Sequence, residues 1–423
     1  MIALIDANNF FVSCEQALNP RLVGRPVVVL SNNDGCVISR SYEAKELGIP
    51  MGAPFFKYRD LMAKHNVVTY SVNFDLYQQF STKIVSVLRE VCPRVQVYSI
   101  DESFVELPNL SNKEVFKWCV DLRRKIFLKT CIPVSIGVSS SKTLTKIASY
   151  TAKDMARNKK GSGVFIINHS NREQILQDTY IGSVWGIGAR LANRMRQNGI
   201  KTTYDLTKRS DQWIRSTYGI VGIRIKYELE GVSSSTIEDE GISRKGISST
   251  KSFGANVYSR SDLYASLVKH IQTATRKLRR QNSVAGELSI FIRTGKHKSG
   301  SQYHGKTSRE LLVPTSNTLH FNSLINEMLD EIYKEDITYH RSGVFISKIE
   351  SAENYQNQTQ LFDTFQHNQR VCKVIDDMQL RYGENIIRPA CIPYKPKWAA
   401  KSQFKSFTQD IRQINTLPTI SVI

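Results

Sequence analysis

The sequence predicts a multidomain α+β protein, and three observations carry that expectation. At 423 residues the chain is too long for one hydrophobic core and should divide into several domains. Short β-prone runs recur along it: Ile2-Ala3-Leu4-Ile5, then Val95-Gln96-Val97-Tyr98-Ser99-Ile100, then Glu287-Leu288-Ser289-Ile290-Phe291-Ile292-Arg293. Helical patterns alternate with the last of these, one ending in Arg276-Lys277-Leu278-Arg279-Arg280 and another around 321–333, so this part alone makes a small α+β domain.

The first two runs end in acid. Asp6 closes the first, and Asp101 and Glu102 follow the second. If these strands lie side by side, three carboxylates converge on one sheet edge, where mutual repulsion raises their pKa values. Divalent metal relieves that repulsion, and Mg²⁺ favours a few carboxylates plus substrate phosphates over an all-protein cage. Two such ions, about 3.5–4 Å apart, form the clamp used for in-line displacement at phosphorus. A D…DE pattern is weak by itself, because acidic residues end strands everywhere.

The neighbouring residues make it specific. The stretch Asp6-Ala7-Asn8-Asn9-Phe10-Phe11-Val12-Ser13-Cys14-Glu15, followed by Tyr98-Ser99-Ile100-Asp101-Glu102-Ser103-Phe104, resembles the paired catalytic motifs of Y-family (translesion) DNA polymerases. A third block, Val134-Ser135-Ile136-Gly137-Val138-Ser139-Ser140-Ser141-Lys142-Thr143-Leu144-Thr145-Lys146-Ile147-Ala148-Ser149, agrees in order and spacing. Leu30-Ser31-Asn32-Asn33-Asp34-Gly35-Cys36-Val37-Ile38 resembles the UmuC-type subgroup, the catalytic subunits of DNA polymerase V. The resemblance implies a right-hand polymerase: a palm at 1–30 and 75–165, small fingers at 31–74, a helical thumb with a helix-hairpin-helix at 166–240, an α+β little finger at 241–350, and a tail at 351–423. It implies an error-prone DNA polymerase of the SOS response that adds deoxynucleotides opposite damaged template bases.

Roles carry over residue by residue. Asp6 and Asp101 would bridge two Mg²⁺ ions, with the Ala7 carbonyl assisting and Glu102 completing the metal at the primer 3′-OH. Phe11, five positions after Asp6, matches an aromatic steric gate that collides with a ribose 2′-OH. UmuC-type sequences usually have tyrosine there, so the ring is kept and a hydroxyl is lost. Neighbouring Phe10 is expected in the core. Tyr42 and Lys45 match triphosphate ligands from the fingers; many relatives have arginine at the second position, and lysine offers a point charge instead of a fork. Lys153 matches a third phosphate ligand.

Charge locates the expected grip on DNA. The chain carries 58 Lys and Arg against 38 Asp and Glu, a formal +20, which favours a polyanionic partner. Residues 241–310 hold 14 basic residues against three acids, a net +11 in about a sixth of the chain. Arg276, Lys277, Arg279 and Arg280 are the candidate backbone contacts, giving salt-dependent and largely sequence-independent affinity. Gly186-Ile187-Gly188 precedes a helix whose N-terminal amides can meet a phosphate, and resembles the thumb hairpin. A second Gly-rich turn at Gly219-Ile220-Val221-Gly222 reads either as a hairpin or as helix packing.

The fingers segment includes Gly35, Gly48, Pro50, Gly52 and Pro54, which favour turns over a long closing helix. Small, loop-rich fingers enclose the nascent pair loosely, so distorted templates fit. Beyond the little finger, Gln358-Thr359-Gln360-Leu361-Phe362 resembles a peptide that docks on the β sliding clamp, with Gln358, Leu361 and Phe362 as the anchors. By resemblance the rest of the tail meets a processed UmuD-type dimer and a RecA filament. Seven scattered cysteines without a CxxC pair argue against a zinc site or disulfide framework and suit a reducing cytoplasm. No basic-apolar leader and no apolar run near 20 residues is present, so the protein is expected in the cytoplasm, associated with the nucleoid when on DNA. Two other readings remain: a different palm-domain enzyme such as a nucleotidyl cyclase, which needs no duplex grip, and a non-catalytic DNA-binding subunit, which needs no carboxylate trio.

Overall fold

The run Ile2–Ala7 becomes the middle of a five-stranded sheet because it is apolar on both faces. Ala3, Leu4 and Ile5 are all buried. The computed structural model describes residues 1–108, 110–158, 161–234, 236–237, 244–295, 302–355, 364–383 and 386–406. They fall into two compact units. The first comprises Met1–Ser31, Gly35–Glu240 and Phe404–Ile423, the second Asn32–Asp34 and Gly241–Gln403.

In the first unit the sheet runs Val95–Val97, Glu102–Glu106, Ile2–Ala7, Val134–Ser139, Val164–Ile166. The last pair is parallel and the others antiparallel. One face carries Ala3, Ile5 and Ala7 into a core shared with Phe74–Arg89 and Asn112–Thr130. Both helices start on side-chain caps: Asn73 accepts from the Leu76 N–H, and Ser111 and Glu114 form a reciprocal capping box. Leu76, Tyr77, Phe80 and Ile84 on the first, and Val115, Cys119, Leu122 and Ile126 on the second, form the apolar stripes that this core buries. Burial of each such aliphatic or aromatic side chain contributes roughly 1.5–3 kcal/mol.

The opposite face meets Lys142–Arg157, which begins at a Ser141 cap. Gly137 sets how close this helix comes. A Cβ there would lie 2.2 Å from the Ser149 nitrogen and 2.5 Å from the Thr145 oxygen, both backbone atoms. Only glycine lets the helix rest directly on the strand. Leu144, Ile147 and Ala148 then join Ile187, Met195, Ile200, Leu206, Ile214 and Leu229 in a second, helical core. The helix Asp211–Leu229 kinks at Gly219 (φ 71°, ψ −164°), and Gly222 packs against Ile214 and Tyr218. Of the two readings of that stretch, helix packing describes it.

A three-stranded sheet completes the first unit: Val37–Arg40, Val27–Leu30, Val68–Ser71. The helices Tyr42–Glu46 and Phe55–Lys64 accompany it, with Gly48 and Gly52 in left-handed turns (φ 74° and 76°). The expected fingers boundary at residue 31 needs correction here. Val27–Leu30, buried along its whole length, is the middle strand of this sheet, so the element starts earlier. Asn32–Asp34 belongs to the second unit, where the Asn33 amide donates to the Ser252 carbonyl at 3.0 Å and accepts from the Lys401 N–H at 2.9 Å.

The second unit is an antiparallel sheet, His304–Thr315, Ser283–Arg293, Tyr339–Ser351, Ile247–Val257. Arg260–Arg280 and Thr318–Ile332 pack on it through Leu263, Leu267, Ile271, Leu278, Phe321, Ile325 and Leu329. The tail expected beyond residue 350 is in part folded into this unit. Ile392 and Trp398 enter its core, and the helix Thr364–Tyr382 is held by Arg279, whose guanidinium donates twice to Asp376 at 2.7 and 2.9 Å. A planar fork matched to a carboxylate fixes the helix, and the large buried surface of Trp398 fixes the segment that follows it. Among the described residues no helix is long and apolar enough to cross a membrane.

Candidate active site

Antiparallel pairing puts Asp6 opposite Glu102, at the end of the central strand. The hairpin that makes this possible departs from the sequence expectation. Asp101 and Glu102 do not end the run beginning at Val95; that strand stops at Val97, and Glu102 opens the next strand, Glu102–Glu106. Ser99 makes the reversal. Its hydroxyl donates to Asp101 Oδ1 at 2.5 Å and accepts from the backbone N–H groups of Asp101 and Glu102 at 3.3 and 3.0 Å. The Ala7 N–H donates to the Asp101 carbonyl at 2.9 Å, stitching the turn to the central strand. An end-to-start meeting of neighbouring strands is what an antiparallel ladder requires.

Three carboxylates so placed need positive charge, and the helix Lys142–Arg157 supplies it. Lys146 and Lys153 stand seven residues, two turns, apart on one face. Lys146 Nζ lies 2.9 and 3.1 Å from the Glu102 carboxylate oxygens, and Lys153 Nζ pairs with Asp6 Oδ2. Lys146 is also held over the Tyr98 ring, 4.7 Å from its centroid, beside Trp185, whose Nε1 donates to the Tyr98 hydroxyl at 3.0 Å. Asp6 is 5% exposed. Its carboxyl is raised to about 7, the net of burial, which raises it most, of Lys153, which lowers it, and of the charges of Glu102 and Asp101, which raise it.

Beside this edge opens a cleft of about 290 Å³, lined by Asn8, Asn9, Tyr42, Lys45, Tyr150, Lys153, Asp154 and Arg157. Three of the four nucleotide residues expected from the sequence, Tyr42, Lys45 and Lys153, therefore share one wall. Lys45 Nζ donates to Asn9 Oδ1 at 2.5 Å, and Asn9 holds a left-handed backbone (φ 49°) at the start of the helix Phe10–Leu18. Burial, then repulsion from Arg40, Arg157 and Lys153, lowers Lys45 to about 8. Such a crowd of cations is relieved by a bound polyanion. The fourth residue, Phe11, does not line this cleft; it is half-buried between Phe74, edge-on at 6.0 Å, and Tyr77, face-on at 4.6 Å. Phe10 is 3% exposed, in the core as expected. Arg157 and Lys146 were missed by sequence reasoning. Lys146 lies in the quoted third block, and its seven-residue spacing from Lys153 is the signal that could have found it.

The other expected contacts divide. Gly186 takes φ 89° and Gly188 caps Ala189–Gln197 without a side-chain partner, so the turn presents backbone amides. Lys277 and Arg280 are exposed. Arg279 is committed to Asp376, the Ser316 carbonyl and Thr318 Oγ1, and Arg276 donates to Gln379 Oε1 at 3.3 Å. Arg279 is thus engaged within the fold, while Arg276 stays partly exposed beside its bond to Gln379. Gln358, Leu361 and Phe362 lie outside the described residues.

The family model described as impB/mucB/samB matches residues 5–150, and that of its C-terminal domain residues 244–361. Protein UmuC of Salmonella typhimurium is 32% identical over 411 residues, spanning 96% of this chain and 97% of its own length. The chain belongs to the impB/mucB/samB family. Protein MucB of Escherichia coli is 32% identical over 86% of both chains, and the DNA polymerase IV of Oceanobacillus iheyensis 25% identical over 90% of both. A Y-family DNA polymerase chimera, Dbh-Dpo4(243-245)-Dbh, shares the fold with a TM-score of 0.66 at 20% identity, covering 83% of this chain and all of the other. The impB/mucB/samB architecture is thus the right-hand α+β fold of Y-family polymerases, and the sequence resemblance to that family implies a divalent metal at the acidic edge.

The residues present fit such a metal. Asp6, Asp101 and Glu102 offer hard oxygen donors, one of them destabilised by burial and by its own neighbours. Among the described residues no three acidic, His or Cys side chains gather closely enough to enclose an ion by themselves. The sign of the pH dependence follows. Below about 7 a proton occupies Asp6 and competes with the cation; above it the carboxylate is free. Apparent Mg²⁺ affinity, measured by calorimetry, should rise about tenfold from pH 6 to pH 8. A flat profile would mean that Asp6 takes no part in binding.

Proposed function

We propose that this chain is an error-prone translesion DNA polymerase, adding deoxynucleotides to a primer 3′-OH opposite damaged template bases during the SOS response. The observation that carries this reading is the meeting of Asp6, Asp101 and Glu102 at one sheet end beside a cleft lined by Tyr42, Lys45, Lys153 and Arg157. Carboxylates on one side and cations on the other match a metal-bound triphosphate.

Asp6, Asp101, Glu102 and the Ala7 carbonyl would hold two Mg²⁺ ions. When bound, these supply charge neutralisation at the leaving pyrophosphate and acidify the primer hydroxyl. The chain's own work is positioning. Asp6 and Asp101 orient the reacting phosphate edge; Lys45, Lys153 and Arg157 bind triphosphate oxygens, and Tyr42 adds its hydroxyl. Lys153 serves both sides, since its ammonium already reaches Asp6. Phe11 lies under the sugar and excludes a 2′-hydroxyl. Lys277 and Arg280, with the backbone amides after Gly186 and Gly188, grip the primer-template backbone.

Lesion tolerance follows from the size of the fingers. Three four-residue strands and helices of five and ten residues cannot close over a base pair as a long helix does. Gln358, Leu361 and Phe362 dock on the β sliding clamp, and the C-terminal segment meets a processed UmuD-type dimer and a RecA filament. The protein works in the cytoplasm, on nucleoid DNA. The carboxylate trio favours this reading over a non-catalytic DNA-binding subunit.

Asp101→Asn should abolish nucleotide addition in a primer-extension assay while leaving primer-template affinity within about threefold of wild type. Loss of both together would make the carboxylates structural instead. Phe11→Ala should admit ribonucleotides, read as extension with ribonucleoside triphosphates alone. Unchanged sugar discrimination would remove Phe11 from the gate.

A further inference from the structure

Behind Phe11 the side chains close into a loop. The Phe11 ring lies on the Tyr77 ring, centroids 4.6 Å apart and planes 19° from parallel. Tyr77 has no exposed surface, and its hydroxyl donates to Glu15 Oε1 at 2.7 Å. Glu15 stands four residues after Phe11 on the helix Phe10–Leu18, on the same face. The contacts thus return to the helix that carries the ring. Glu15 is 2% exposed and takes a further hydrogen bond from Ser406 Oγ at 3.2 Å. That serine is seated by Phe404. The Ser71 N–H donates to the Phe404 carbonyl at 2.9 Å, the Phe404 N–H donates to Ser71 Oγ at 3.0 Å, and its ring meets Phe55 edge-on at 5.6 Å.

Filling space does not require this arrangement. A buried carboxylate is costly unless its oxygens are satisfied, and an apolar pair of similar volume packs as well. Burial raises the Glu15 carboxyl above its ordinary range, and the hydrogen bonds from Tyr77 and Ser406 hold it down. What the polar pair adds is direction. A hydroxyl bound at 2.7 Å fixes the Tyr77 ring in its plane, and the stacked ring fixes Phe11. Phe11 has no polar atom with which to fix itself. A gate discriminates by a clash of less than an atom's width, so a ring free to yield by about 1 Å loses its selectivity.

We propose that Tyr77 and Glu15 are positioning residues for sugar selection, holding the Phe11 ring against a 2′-hydroxyl, and that Ser406 of the C-terminal segment tightens that hold. This rests on the reading of Phe11 as the gate. The test is single-nucleotide primer extension by the full chain with matched deoxy- and ribonucleoside triphosphates, comparing the ratio of kcat/KM values. Tyr77→Phe and Glu15→Gln should each lower the deoxy-over-ribo ratio about fivefold, Ser406→Ala about twofold, and Tyr77→Leu further toward the Phe11→Ala value. A general loss of structure lowers both rates together and leaves the ratio alone, so the ratio isolates positioning. Ratios within about twofold of wild type for both Tyr77→Phe and Tyr77→Leu, with Phe11→Ala collapsing it, would overturn the proposal and leave the gate standing. An unchanged ratio in Phe11→Ala would overturn the gate and the proposal with it. If Tyr77→Leu does not fold, Tyr77→Phe and Glu15→Gln decide, since each keeps the shape of the side chain it replaces.

Discussion

The antiparallel register that sets Asp6 against Glu102 creates the constraint on which the rest of the site depends. It forces carboxylates together at the end of a buried strand, where burial, opposed by Lys153 and reinforced by Glu102 and Asp101, leaves Asp6 raised to about 7. Everything nearby answers that charge. Gly137 lets the helix Lys142–Arg157 lie directly on the sheet, and the helix then presents Lys146 and Lys153 to Glu102 and Asp6. Lysines that a looser packing would leave in solvent become part of the site. Local repulsion is tolerated because the sheet is paid for elsewhere, by Leu4, Ile5, Phe104 and Ile136 in the apolar layers.

The same juxtaposition links recognition to chemistry. Lys153 touches the carboxylate edge and also lines the cationic cleft with Lys45 and Arg157, so the anionic edge and the cationic cleft share a side chain. A nucleotide triphosphate carrying its own cation satisfies both halves at once. Neither half is comfortable alone: half-buried Lys45 is lowered on one side and buried Asp6 raised on the other. Opposite stresses on adjoining groups are the signature of a site built for a charged, bipolar ligand.

Much of this was legible in the chain. Asp6, Asp101 and Glu102 could be read as a trio because each adjoins a β-prone run, and that inference needs only strand character. Their exact seating could not be read, because the turn depends on the Ser99 hydroxyl, and a run of β-formers through Ile100 gives no sign that the strand ends at Val97. A boundary at residue 31 divides the sheet that Val27–Leu30 centres, because four apolar β-formers match either sheet. Arg276 and Arg279 looked like free surface charge, and only the fold reveals that Gln379 and Asp376, about a hundred residues later, engage them. Long-range side-chain pairing leaves no periodicity behind. Trp398, a large apolar surface, finds its core in the second unit through the same kind of long-range packing.

The most direct test of this account is a count of Mn²⁺ ions bound per chain, by electron paramagnetic resonance, with primer-template and a non-hydrolysable deoxynucleotide present. Two ions for wild type, falling to one or none in Glu102→Gln, is the result that carboxylate crowding predicts. The same count in both proteins would contradict it, and would mean that this sheet edge is held by its lysines for structure alone.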